Sequence, residues 1–281
     1  MTRRWLAALV TGAALALTAC GWQTTGADAG TSSTLSASPR NMRIGIPFDQ
    51  PGLGLRTGNH YSGFDVDVAR YIAGRLGADE SRITWIEAPN AQRETLVTSG
   101  QVDFVVAASP PTDRERARIS FAGPYLVVEQ DLLVRADDPS ITDTPSLEGR
   151  RVCSVTGSAS ARAVKDDHPG VQLQEVALAS KCLPLLTAGT VDAVTLDDAV
   201  LAGFAAENQY RGRLRLLGTS LAIHDYGIGL RKGDATLCDQ ATAALRAMIE
   251  EGAWQRAFER TLAPTGYLLP EGNPPVPQPC S

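Results

Sequence analysis

Three polar stretches of this 281-residue chain flank apolar runs, where side chains are usually presented to a ligand. Asp197 and Asp198 end the run Ala193-Val194-Thr195-Leu196. A carboxylate there can accept from a cation or cap a following helix. Thr156-Gly157-Ser158-Ala159-Ser160 leads into a helix expected to begin near Ala161. Hydroxyls and backbone amides at such a turn suit a carboxylate, and the same residues also make an ordinary turn and N-cap. Thr112-Asp113-Arg114-Glu115-Arg116 brings cations to a helix start, where they also read as solvated charges. Groups of this kind hold a charged small molecule. No Gly-x-Ser-x-Gly elbow, His-Glu-x-x-His pair, phosphate loop or dinucleotide fingerprint occurs, so neither an enzyme nor a cofactor is expected. Three histidines and no Cys-x-x-Cys spacing argue against a metal site. The formal net charge of −5, with basic residues scattered, argues against nucleic acid as a partner.

Short β-type runs alternate with helical patterns, which predicts an α/β fold with mainly parallel sheets. Met42 to Ile46 is the first strand and Ile83 to Ile86 the second. Between them a helix opens at Gly63-Phe64-Asp65-Val66-Asp67-Val68-Ala69, with Phe64, Val68, Ile72 and Leu76 marking a buried face. Leu96-Val97-Thr98-Ser99-Gly100-Gln101-Val102-Asp103-Phe104 is echoed by Leu185-Leu186-Thr187-Ala188-Gly189-Thr190-Val191-Asp192-Ala193. Both read as helix end, glycine stop and strand, so the chain is expected to hold two lobes of similar build. Leu126 to Val134 and Thr219 to Leu230 are extended runs between the halves. If both cross, the helices Cys238 to Gly252 and Ala253 to Leu262 rejoin the first lobe, and the crossings form a hinge over a cleft.

The amino terminus carries Arg3 and Arg4, an apolar run from Trp5 to Leu17, and then Leu17-Thr18-Ala19-Cys20. That is the pattern of an export signal, with a twin-arginine route left open. Leu-Thr-Ala-Cys resembles a bacterial lipobox, which implies a leader over residues 1–19 and lipidation of Cys20. Residues 20–40, rich in small polar side chains, are expected to tether the body to the outer face of the cell membrane. Four cysteines remain, an even count that fits disulfides outside the cell. Four allow three connectivities; Cys153 with Cys182 and Cys238 with Cys280 are the expected pairs, the second pinning the proline-rich tail 268–281.

Gly63-Phe64-Asp65-Val66-Asp67-Val68-Ala69 resembles the signature of the solute-binding proteins that serve polar amino acid ABC importers. Further matches are Val102-Asp103, Thr112-Asp113, Phe121-Ala122-Gly123-Pro124-Tyr125, Thr156-Gly157-Ser158, Val191-Asp192-Ala193-Val194 and Tyr226-Gly227-Ile228-Gly229. Asp49-Gln50-Pro51-Gly52-Leu53-Gly54 and Val152-Cys153-Ser154-Val155 look most like the actinobacterial glutamate-binding branch. The resemblance implies a two-lobe periplasmic-binding-protein-like fold of type II, two mixed and mainly parallel sheets joined by a two-strand hinge. Lobe 1 would be residues 41–127 and 226–267, and lobe 2 residues 128–225. It also implies a monomer binding a free amino acid, glutamate first, then glutamine, aspartate or asparagine. The partner would be an ABC permease, or a membrane receptor if the protein senses its ligand; the dehydratases of this fold are the enzymatic alternative.

By the same resemblance Asp197 takes the ligand ammonium, and Ser158 and Ala159, with Val155 before them, take its carboxylate from the second lobe. In the first lobe, Ala108 and Ser109 line the cleft. Relatives place an arginine three residues after the threonine, where this chain has Glu115. Arg114 or Arg116 would then substitute, or the ligand is held differently. Asp49, Gln50 and Arg93 are further candidates for recognising the ligand side chain.

Overall fold

The structure, a computed structural model, describes residues 40–281 other than Ser109. The expected leader, Cys20 and the tether before residue 40 lie outside the described residues. Met-Arg-Ile-Gly-Ile forms β1 (Met42–Ile46), buried at all but one position, as suits a strand covered on both faces. A meander follows, of β2 (Asp49–Gln50), β3 (Gly54–Thr57) and β4 (His60–Ser62). It leads into α1 (Phe64–Arg75), whose Phe64, Val68 and Ile72 are buried as the spacing requires. β5 (Ile83–Glu87), α2 (Arg93–Thr98), β6 (Phe104–Val105) and α3 (Asp113–Arg116) complete the first run.

The chain then crosses on β7, seventeen residues from Ile119 to Arg135. Beyond it come β8 (Arg151–Val155), α4 (Ala159–Asp167), β9 (Gln172–Val176), α5 (Cys182–Thr187), β10 (Ala193–Asp197) and α6 (Asp198–Ala205). β11 (Leu214–Leu216) precedes the return crossing on β12 (Ala222–Arg231). α7 (Ala235–Glu250) and α8 (Ala253–Thr261) then pack on α1, back in the first lobe. Apart from the small sheet β2-β3-β4, the strands form one path, β5-β1-β6-β12-β7-β10-β8-β9, with β11 on β7. Within each lobe the pairs β1–β5, β1–β6, β8–β9 and β10–β8 are parallel. The crossing strands are antiparallel to each other and join the two sheets through shared hydrogen bonds.

The echo in the sequence is an echo in the structure. Asp103 accepts the Arg43 N–H at 2.7 Å, and Asp192 accepts the Arg151 N–H at 3.0 Å. In each lobe the aspartate after the glycine stop therefore pins the start of that lobe's first strand. Gly100 (φ 71°) and Gly189 (φ 70°) make the two stops in the left-handed region, which glycine enters without a Cβ penalty.

Cys153 pairs with Cys182 and Cys238 with Cys280, as expected. The second pair holds the C-terminal segment along β7. There Gln278 N donates to Gly123 O at 2.7 Å, and the Asn273 side chain bonds both the N–H and the C=O of Val127. Closing loops of 29 and 42 residues, these bridges contribute about 3.5 to 4 kcal/mol each by restricting the unfolded chain.

The lobes touch at the mouth of the cleft. Asp49 of β2 accepts the Ser180 N–H across it at 3.0 Å. Gly203 of α6 faces Pro51 so closely that an added Cβ would run into the Pro51 carbonyl oxygen. Gly203→Ala favours the helix itself by about 1 kcal/mol while forbidding this approach. The variant is expected to melt cooperatively and to show a larger radius of gyration by small-angle X-ray scattering.

Asp198 opens α6 and its Oδ1 accepts three bonds, from Ala199 N (2.7 Å), Tyr267 Oη (3.0 Å) and Glu129 N (3.2 Å). Burial pushes its carboxyl up to about 7, and the nearby Asp197 charge adds to the rise. The raised value favours the folded state at low pH, and the stabilisation is lost as pH rises from about 4 through 7. Asp198→Asn keeps the accepting oxygen and removes the buried charge. Calorimetry at pH 8 should show it more stable than the native chain by on the order of 2 kcal/mol, with no gain at pH 4.

Candidate functional site

A cleft between the lobes is bordered on one side by Gln50, Asn90, Arg93, Ala108, Pro110 and Glu115, and on the other by Val155, Gly157, Ser158, Ala159, Ser160, Arg162, Leu196, Asp197 and Val200. These residues follow the carboxyl ends of β2, β5, β6, β8 and β10 or start the helices behind them, where α/β sheets present their ligands.

Arg93 begins α2 and is 5 % exposed. Its Nη1 donates to Ala108 O at 3.2 Å, its Nη2 to Asn90 Oδ1 and its Nε to Ala88 O at 3.5 Å. No carboxylate lies within ion-pair distance of it among the described residues. Burial pulls its pKa below the usual guanidinium value, against the negative fields of Glu115 and Asp65. One N–H on each terminal nitrogen is left uncommitted, the pair that grips a carboxylate at two points.

Asp197 stands at the end of β10, 7 % exposed. It occupies the N-cap position of α6 without making a capping bond, a task that falls to Asp198. Its Oδ1 pairs with His224 Nδ1 at 2.7 Å and its Oδ2 accepts from Tyr226 Oη at 2.6 Å, both from β12. Burial opposes charge on His224, and the hydrogen bond and charge of Asp197 still raise its pKa above the usual histidine value. Burial, with Asp197 beside it, pushes the Tyr226 hydroxyl well up, so it remains a donor.

α4 starts at Ala159, two residues earlier than its sequence pattern suggests, because Ser158 Oγ accepts the Ala161 N–H at 3.0 Å and caps it. The Ala159 and Ser160 N–H groups, at the first two helical positions, have no acceptor among the described residues. They face the cleft at the positive end of the helix dipole. The turn-and-cap reading of Ser158 and the anion-binding reading thus describe one structure.

Other expectations are corrected. Thr112 and Glu115 form a capping box, Glu115 Oε2 accepting Thr112 N (3.0 Å) and Oγ1 (2.6 Å). The box turns Glu115 back toward its own N-cap and sends Arg114 and Arg116 outward. Arg114, with its side chain 81 % exposed, approaches Glu94 at 3.9 Å, and Arg116 donates to Ser281 Oγ at 2.7 Å. Neither borders the cleft; Arg93 is the first-lobe arginine that does. Asp49 is engaged by Ser180 in the lobe-to-lobe bond. Gln50 is buried with Oε1 unpartnered among the described residues, so its amide is open to a ligand. Ala108 and Val155 border the cleft, and Ser109 lies outside the described residues.

Sequence reasoning missed Asn90, Arg162, His224 and the role of Tyr226. Asn90 sits in a turn after Pro89, and Arg162 inside α4 looks like a solvated helix charge. His224 and Tyr226 fall on a crossing strand, where alternation alone could have flagged two polar side chains on one face.

The chain matches the model of bacterial extracellular solute-binding proteins, family 3, over residues 42–263. It is 40% identical to the glutamate-binding protein GluB of Corynebacterium efficiens, covering 96% of this chain and 94% of that one. It is 28% identical to the ABC transporter glutamine-binding protein GlnH of Bacillus subtilis, with 88% and 92% covered. Among solved structures, an ancestral arginine-binding protein bound to arginine superposes with a TM-score of 0.73 at 27% identity, covering 79% of this chain and 97% of that one. A solute receptor for L-cysteine from Neisseria gonorrhoeae gives 0.74 at 26% identity, covering 80% and 91%. The chain therefore belongs to family 3 of the bacterial extracellular solute-binding proteins.

Proposed function

We propose that this protein binds an acidic amino acid, glutamate first, between its lobes and delivers it to an ABC importer. The observation that carries the reading is Arg93, a buried cation at the cleft with no acidic partner among the described residues. An uncompensated buried charge costs several kcal/mol, and a ligand carboxylate supplies the missing countercharge where an amide does not. The remaining groups match a ligand with two anionic ends and one cationic end. The α4 amides suit the second carboxylate, Arg162 borders the same side, and Asp197 suits the ammonium. Residues 41–127 and 226–267 would move against residues 128–225 about the crossing strands, and contacts made only when the lobes meet would favour closure. Family membership and the glutamate-binding relatives support the ligand class. Lipidation of Cys20 would hold the tether at the outer face of the membrane, and the Leu-Thr-Ala-Cys motif supports this.

Arg93→Met is expected to weaken glutamate binding by 2–5 kcal/mol, the usual effect of truncating one partner of a buried charge pair, while glutamine binding changes little. Asp197→Asn should weaken both alike, since both carry the ammonium. Isothermal calorimetry with the two ligands checks each outcome, and an unchanged glutamate affinity in Arg93→Met would overturn the reading. Cys20→Ala should leave the protein in the membrane-free fraction of cells that retain the native form in membranes, as immunoblotting of the two fractions will show.

A further inference from the structure

Asp65 is fully buried in the first turn of α1, yet the helix has no side-chain cap, so capping does not explain it. Its Oδ1 accepts the Tyr125 hydroxyl at 2.8 Å, and its Oδ2 has no partner among the described residues. Burying a carboxylate this way is costly. Burial pushes the carboxyl up to about 6, against the pull of the Tyr125 bond and the Arg93 charge. Tyr125 in turn uses both capacities of its hydroxyl, donating to Asp65 and accepting the Ala108 N–H at 3.1 Å. Ala108 is a non-glycine residue at φ 44°, a conformation that costs about 1–3 kcal/mol and persists only where its surroundings impose it. That peptide geometry lets its N–H meet Tyr125 while its C=O receives Arg93 Nη1.

We infer that Asp65 and Tyr125 are positioning residues for ligand recognition: Asp65 orients the Tyr125 hydroxyl, which sets the Ala108 residue so that its carbonyl aims Arg93 at the ligand side-chain carboxylate. The inference rests on the reading that Arg93 receives that carboxylate. A guanidinium gripped at Nη1, Nη2 and Nε has one orientation, and a two-point grip on a carboxylate is intolerant of rotation. Loss of the Ala108 contact frees one of the three holds and lets the unstrained peptide turn its carbonyl away. The aromatic cluster formed by Tyr125 with Phe64 and Tyr226, and the bond from Trp254 Nε1 to Tyr125 O, do not need the hydroxyl. Packing and positioning can therefore be separated by one oxygen atom.

The test uses the full chain and measures the ratio of glutamate to glutamine affinity, by competition against labelled glutamate, with the melting temperature recorded alongside. Tyr125→Phe should reduce the ratio about tenfold or more by weakening glutamate alone. Asp65→Asn keeps an oxygen for the Tyr125 hydroxyl and should retain the ratio or raise it. Asp65→Val, which removes that oxygen, should lower the ratio as Tyr125→Phe does, and it provides the result if Tyr125→Phe does not fold. Arg93→Met separates the two levels of the argument. If it leaves the ratio unchanged, the reading of Arg93 fails and takes the relay with it. If it collapses the ratio while folded Tyr125→Phe or Asp65→Val preserves it, Arg93 stands and the positioning role is overturned.

Discussion

The antiparallel ladder between β7 and β12 is the constraint on which the rest of this structure depends. Seventeen residues of β7 carry backbone donors and acceptors that must be met along their length. β12, β10, β11 and the C-terminal segment meet them in turn. Since the crossing strands run through both sheets, the lobes share one hydrogen-bonded framework and keep a common axis. That axis brings the carboxyl ends of β5 and β6 opposite those of β8 and β10. Tyr226 and His224 then reach Asp197 from the crossing strand itself. The acceptor proposed for the ammonium is thus held by the element about which the lobes would move.

The two cleft charges are supported differently, Arg93 with no acid within ion-pair distance among the described residues and Asp197 beside a histidine. Arg93 is held by two backbone carbonyls and an asparagine oxygen, and Asp197 by a phenol and an imidazole. A full ion pair inside the protein would stabilise each charge better, but it would leave little for a ligand to gain. The neutral partners of Arg93, and Tyr226 at Asp197, fix direction and keep the field available, which is the preorganisation that lowers the ordering cost of binding, whereas His224, whose pKa Asp197 raises, shares the Asp197 charge when protonated. Tyr226 serves this purpose because burial and Asp197 keep its hydroxyl protonated. Asp198 shows the contrasting arrangement one residue on: three donors converge on a single oxygen, and the carboxylate serves the helix and the crossing strand.

Much of the fold was legible because its signals are local. The period-four face of α1, the glycine stops at Gly100 and Gly189 and the repeated aspartates after them each depend on neighbours within a few residues. The Asp197 position was equally legible, since a strand end and a helix start coincide there. The first-lobe cation was harder to see. Thr112 to Arg116 advertises two arginines, but whether they enter the cleft depends on a capping box that rotates them out. Arg93 looks like one more charge at a helix start until Ala88, Asn90 and Ala108 are brought around it. Ala88 and Asn90 lie in the turn just before Arg93, but Ala108 comes from beyond β6, and nothing in the local spacing shows that its carbonyl completes the grip. Asp49 likewise reads as a ligand group until Ser180, in the other lobe, is found against it.

If Arg93 receives the ligand carboxylate, the glutamate at position 115 illustrates how a binding site can change its anchor and remain a site. Placed at N3 of α3, it completes a reciprocal cap with Thr112 that an arginine there could not make. The cap fixes the loop carrying Pro110 and Pro111 and leaves a negative charge at the cleft edge. That charge would repel an acidic ligand if nothing opposed it, and Arg93 does so from α2, where burial lowers its pKa and the Glu115 field offsets part of that fall. Moving the cation from α3 to α2 also moves its supports, from a short exposed helix to the buried turn between β5 and α2. There its orientation is determined by backbone carbonyls, among them the strained Ala108, instead of by an exposed surface. Under the proposed reading, the altered motif and the buried arginine are two sides of one rearrangement, and the specificity of the cleft would follow from where the positive charge is anchored.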